Sequence, residues 1–134
     1  MFVLDNSVVT AWYVGNQATP YADAVADLLK EDRAVVPALW ELELSNVLRT
    51  MCLRQAINAQ EAQDILAQIL AMPIEVDRQS SPPAELLGLA LRYGLTSYDA
   101  AYLDLALRLQ APLATQDAPL RNAATAAGVG WLRV

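Results

Sequence analysis

Four short apolar runs punctuate the chain, at Phe2–Leu4, Ala34–Val36, Ile74–Val76 and Leu113–Ala114, with stretches of helical character between them. Runs this short and this apolar read as strands buried on both faces, as in a parallel sheet. Parallel neighbours need crossover connections, so the expected class is α/β, a central, mainly parallel sheet with helices on both faces. The helical stretches are Ser7–Tyr13, Ala22–Lys30 and the long amphipathic Leu39–Gln55. Asn58 and Glu61 have capping-box spacing and open a helix that runs to about Met72, where Pro73 ends it. Pro83–Tyr93 closes on Gly94, a good left-handed terminator, and Thr96 or Ser97 caps a helix that continues to Leu109. Leu120–Ala127 is the last helix, stopped by Gly128, and Gly130–Val134 is expected as a final edge strand. No repeat or linker interrupts this order, and 134 residues make one domain spanning 1–134.

In such sheets ligands bind at the carboxyl ends of the strands, near the point where strand order reverses. Polar residues predicted at that edge therefore matter most. Asp5 ends the first strand and Asp117 follows the fourth, in "LATQD". Asp99 lies in the first turn of the helix after Thr96, and Glu43 lies early in the helix after the second strand. Each has a plain structural reading. Asp5 could cap the helix beginning near Ser7. Thr96 and Asp99 could form a capping-box variant, and Asp117 could be a turn residue before Pro119. Glu41 and Glu43 point about 200° apart on a helix, so only one faces inward; Glu43 shares a face with Asn46 and Val47. Four carboxylates at one edge repel each other and titrate as a group unless a cation is present, a cost that points to function.

What the chain lacks narrows the chemistry. It has no histidine and a single cysteine, Cys52. That removes His-based nucleophile triads, zinc sites and iron–sulfur ligation, leaving hard oxygen-seeking cations such as Mg²⁺ or Mn²⁺. Cys52 sits in an apolar helical context and reads as a buried structural thiol. The net charge of −6 disfavours broad binding to a phosphate backbone. It leaves room for a nuclease, since a divalent ion in an acidic pocket inverts the local charge. Carboxylate-held Mg²⁺ suits phosphodiester hydrolysis, with Ser7 and Thr115 as candidate supporting donors. No signal peptide or membrane span is expected, and the default location is the cytoplasm.

The segments "VLDNSVV", "VPALWELELSNVL", "LTSYDAAYLDLAL" and "LATQDAPLRNAA" resemble, in order and spacing, the signature segments of PIN-domain ribonucleases, and within them the VapC-type toxins of toxin–antitoxin pairs. The resemblance implies a three-layer α/β/α fold and a Mg²⁺- or Mn²⁺-dependent endoribonuclease. It implies a catalytic set of Asp5, Glu43, Asp99 and Asp117, with Asp5, Asp99 and Asp117 holding the metal. It further implies a homodimer and a small VapB-like antitoxin that covers the acidic pocket. Asn46 matches a polar position near the site. Asp104, five residues after Asp99, points about 140° away and falls outside the metal's immediate ligands. Trp12, Tyr13 and Tyr21 read first as core packing.

Two other enzyme or signalling classes that place an aspartate after the first strand fit less well. A dehalogenase-type phosphatase uses Asp-x-Asp where this chain has Asp5-Asn6-Ser7. A phosphoacceptor receiver needs a late lysine, and the only lysine is Lys30. The remaining alternative is a PIN-like module that binds a partner without cutting RNA, a state usually marked by loss of one acid.

Overall fold

The computed structural model describes residues 1–134. Its elements, in chain order, are β1 (Phe2–Leu4), α1 (Asn6–Tyr13), α2 (Pro20–Leu28), β2 (Ala34–Pro37), α3 (Leu39–Leu53), α4 (Ala59–Leu70), β3 (Ile74–Asp77), α5 (Pro83–Tyr93), α6 (Ser97–Leu109), β4 (Leu113–Ala114) and α7 (Ala118–Ala126). A single 3₁₀ turn, Gly15–Gln17, links α1 to α2. The sheet runs β3-β2-β1-β4, and every pairing is parallel. The first three strands step outward in one direction, and the chain then crosses back to lay β4 on the far side of β1. Strand order therefore reverses beside β1, where the carboxyl ends of β1 and β4 leave a crevice.

Burial follows position in the sheet. Every residue of β1, β2 and β4 is buried, whereas the edge strand β3 is half-buried. Helix α6 lies on the sheet against β1, β2 and β4, flanked by α5 and α7. Its interior face buries Ala100, Tyr102, Leu103, Leu105 and Ala106. Helix α1 packs on α2 and α3, and α4 packs on α3, completing the three layers.

Local chemistry sets the helix ends. Thr19 accepts from Ala22 N, with Pro20 at the first helical position, so α2 begins earlier than the expected Ala22. Asp117 accepts from Leu120 N, which likewise starts α7 at Ala118 and not at Leu120. Asn58 and Glu61 form the full reciprocal capping box. Gly94 ends α5 at φ +66°, a left-handed geometry that costs glycine little. Gln55, at φ +60°, cannot continue a helix, so α3 stops at Leu53.

Two expectations need correction. Gly130–Val134 forms no full strand: one parallel bridge joins Trp131 to Leu113, and Gly130 at φ +85° turns the backbone out of extended geometry. Cys52 is half-buried, because the end of α3 projects past the sheet; its thiol lies 3.7 Å from the Asn58 carbonyl.

Candidate active site

Asp5 stands at the seam between β1 and β4. Its backbone N–H donates to the Ala114 carbonyl at 2.9 Å, extending the strand ladder by one residue. Asp5 also occupies the cap position of α1, yet its side chain makes no capping bond. The carboxylate turns instead to two hydroxyls: Ser7 Oγ and Thr115 Oγ1 each donate to Asp5 Oδ2 at 2.7 Å. Backbone donors hold those hydroxyls in turn. Gln116 N–H donates to Ser7 Oγ at 3.0 Å, and Asp117 N–H donates to Thr115 Oγ1 at 3.0 Å. The seam is thus a chain of oriented donors that ends on one buried carboxylate. Burial pushes the Asp5 carboxyl above the usual range, and the two hydroxyls oppose that rise.

The other three acids come from three different elements. Glu43, in α3, accepts from the Tyr102 hydroxyl at 2.6 Å across to α6. Its pKa is raised by burial first and then by the charges of Asp5 and Asp99, while the Tyr102 bond opposes. Asp99 lies in the first turn of α6, where its N–H donates to Thr96 Oγ1 at 3.1 Å. The reciprocal bond from the Thr96 backbone N–H to the Asp99 carboxylate does not form, so only half of the expected cap is made, although the Thr96 side chain opposes the rise in the Asp99 pKa. Burial and the neighbouring Asp5 and Asp117 push it up to about 6. Asp117, expected as a turn residue before Pro119, is the cap of α7 and accepts from Leu120 N–H at 3.0 Å. Asp5 thus acts on both Glu43 and Asp99, and Asp117 acts on Asp99, while none of the four is paired with a lysine or arginine.

The donors at this edge are all oxygens: carboxylates, hydroxyls and, next to Asp5 in sequence, a buried Asn6 Oδ1 without a hydrogen-bond partner. Uncompensated negative charge with hard oxygen donors fits a divalent cation of the Mg²⁺ or Mn²⁺ kind. As the side chains stand, no three acids close into one ligand cage. Two causes are visible: unscreened carboxylates repel, and one oxygen of Asp117 is engaged by its own helix.

The residues set aside from the sequence fall outside the cluster. Glu41 is exposed and takes a two-pronged bond from Arg78 at 2.8 and 3.1 Å. Asp104 is buried against Ser81 Oγ at 2.7 Å and Arg108 Nε at 3.2 Å. Asn46 lies on the exposed side of α3 and lines a separate cavity of about 520 Å³ below the end of α1. Trp12 packs on the core and donates from its indole to Ala22 O at 2.8 Å. Tyr102 is the site residue that sequence reasoning missed. The available signal was its spacing: three residues after Asp99, it projects from the same helical face.

A parallel α/β/α sheet whose strand order reverses beside β1, with Asp5 at that seam, defines the class. The PIN domain profile matches residues 2–126, and the chain belongs to the PIN-domain family. Its place in that family is with the VapC type. It is 32% identical over 123 residues to Ribonuclease VapC1 of Mycobacterium tuberculosis, covering 90% of this chain and 89% of the relative. It is 31% identical over 120 residues to Ribonuclease VapC12 of the same organism, with the same coverages of 90% and 89%. The crystal structure of PAE2754 from Pyrobaculum aerophilum shares the fold at TM-score 0.71 and 24% identity, over 91% of this chain and 78% of that one.

Proposed function

We propose that this chain is a Mg²⁺-dependent endoribonuclease, with Mn²⁺ able to substitute, and the toxin of a type II toxin–antitoxin pair. What supports the reading is four carboxylates without a cation partner placed just after β1, in α3, in the first turn of α6 and at the cap of α7, with Asp5 raising the pKa of both Glu43 and Asp99 and Asp117 raising that of Asp99. The relatives' names, Ribonuclease VapC1 and VapC12, support RNA as the substrate. By the same kinship the partner is a VapB-like antitoxin, the assembly a homodimer and the site of action the cytoplasm. Exposed Leu42 on α3 and Leu87 and Leu91 on α5 leave apolar surface for such contacts.

Asp5, Asp99 and Asp117 are the residues that would hold the ion, with Glu43 beside them. A divalent cation held there supplies positive charge against the phosphoryl oxygens and orients the attacking water. The chain's own residues preset the rest. Ser7 and Thr115 both donate to Asp5 Oδ2 and so fix the rotation of its carboxylate. Tyr102 holds Glu43 toward the crevice.

The test is incubation of antitoxin-free protein with total cellular RNA, with Mg²⁺ or with EDTA, followed by mapping of new RNA ends. Discrete ends that need the metal and disappear in Asp5→Asn and Asp99→Asn are the expected result. Metal-loaded protein that cuts no RNA would leave a partner-binding module in place of an enzyme.

A further inference from the structure

A second cavity, of about 320 Å³, opens between the start of α2 and the β4–α7 turn, lined by Thr19, Tyr21, Thr115, Gln116, Arg121 and Trp131 among others. It adjoins the acidic crevice through Thr115, whose hydroxyl binds Asp5. The aromatic wall is rigidly built. Tyr21 and Trp131 stack with ring centroids 4.7 Å apart and planes 15° from parallel. The Trp131 indole donates to Thr115 O at 2.9 Å, and the Tyr21 hydroxyl donates to Leu132 O at 2.8 Å. Thr19 and Gln116 are hydrogen-bonded across the cavity mouth.

Arg121 is held in an unusual way. It follows Asp117 by four residues, a spacing at which an acid and an arginine on one helix readily pair. They do not pair here. Asp117 turns back to cap α7, and the Arg121 guanidinium lies flat against Trp131, 3.7 Å from the ring centroid. Its side chain is exposed and makes no hydrogen bond or ion pair within the chain, so its N–H donors are free. Lys30, Arg33, Arg78 and Arg108 are all matched to acids. Arg49, Arg54, Arg92, Arg121 and Arg133 have no ion pair, and of these Arg121 is the one lining the cavity that shares Thr115 with the Asp5 seam.

We propose that Arg121, laid on the Tyr21–Trp131 stack, binds the backbone phosphate of single-stranded RNA next to the phosphate held at the carboxylates. This rests on the ribonuclease reading above. An acidic chain repels a polyanion, so one cation at the edge of the crevice decides where the strand can settle. A guanidinium presents a planar fork of donors that matches phosphate oxygens in pairs. Holding it on an indole orders it in advance and keeps it off Asp117, which stays available to the crevice.

The experiment uses the full chain and a fluorescein-labelled single-stranded RNA of mixed sequence. Binding is followed by anisotropy across a salt series, in the Asp99→Asn background with Mg²⁺ so that nothing is cut. Arg121→Ala is expected to weaken binding about tenfold and to flatten the log K against log salt slope by about 0.7, one phosphate contact on a single strand. Trp131→Leu keeps the charge, so its slope holds while affinity falls a few-fold. In the cleaving protein Arg121→Ala raises KM with kcat little changed, the signature of binding shared by ground and transition states. Arg121→Lys restores the slope but not the full affinity, a rescue that a purely structural arginine would not show. An unchanged slope and KM in Arg121→Ala, beside wild-type cleavage, overturns the subsite and leaves the ribonuclease reading standing. A wild-type chain that neither cuts nor binds RNA overturns both.

Discussion

Asp99 and Asp104 sit five residues apart on α6 and lead opposite lives. Asp104 is buried against the β3–α5 loop and brings its own counter-charge: Arg108 lies at 3.2 Å and Ser81 at 2.7 Å. Arg108 also reaches Asp77 at 3.5 Å, tying helix, strand and loop together. Asp99 has no cation, and burial followed by the charges of Asp5 and Asp117 pushes its pKa up to about 6, with Thr96 alone opposing. One carboxylate is neutralised from within and serves the fold. The other is left in debt and needs charge from outside. Asp104 is buried and Asp99 only half-buried, but the sharper difference is the origin of the compensating charge.

The sharpest way to break this contrast is to neutralise each acid in turn. Asp5→Asn or Asp99→Asn should slow RNA cleavage on the order of 10²–10³-fold, the scale of losing one preorganised transition-state group. Asp104→Asn should leave the rate of the folded enzyme within a few-fold of wild type. Equal losses in a gel-based cleavage assay would erase the distinction.

Stability should show the opposite sign. Arg108→Met strands Asp104 and should cost about 2–3 kcal/mol in urea unfolding, below the fully buried limit because Arg108 is partly exposed. Asp99→Asn should stabilise the metal-free chain at neutral pH, by relieving repulsion.

Added Mg²⁺ should stabilise by mass action. At about ten times its Kd the gain is roughly 1.4 kcal/mol, or about 5 °C in Tm for a chain of this size. Scanning calorimetry should find that shift kept in Asp104→Asn and lost in Asp99→Asn.

The smallest effect is in pH. The Asp99 carboxyl moves from its ordinary 3.8 up to about 6, so between those values the folded chain binds more protons than the unfolded one. Stability of the metal-free protein therefore falls as pH rises through that window. Burial of Asp5 and Glu43 acts in the same direction. Urea midpoints at both ends of the window should show a weaker pH slope in Asp99→Asn than in wild type.

Sequence showed the strands and most helix bounds, and placed the four acids after β1, in α3, in α6 and at the start of α7, because these depend on local signals: apolar runs, caps, glycine stops and acids near strand ends. The final strand was overread, since an apolar run near a sheet says nothing of whether Gly130 turns the backbone away. Pairings across the fold were silent. Tyr102 meets Glu43 across 59 positions, and Ser81 meets Asp104 across 23. The Arg121–Trp131 contact was hidden for the same reason, as the helix spacing advertised Asp117 as the natural partner. Periodicity describes one element at a time, whereas these contacts depend on where two elements cross.

The hydrogen bond from Thr115 to Asp5 closes a span of 110 positions. Asp5 leaves the ribosome with the first strand, and the hydroxyl that orients it leaves with the last. At about 5–20 residues per second, Asp5 waits roughly 5–20 s before its seam can close. A ribosome that stalls before β4 releases a chain that has Asp5 and Asp99 but lacks Thr115, Asp117 and Arg121. Interrupted synthesis therefore yields a chain whose β1–β4 seam cannot close and whose proposed site lacks two of its oxygen donors.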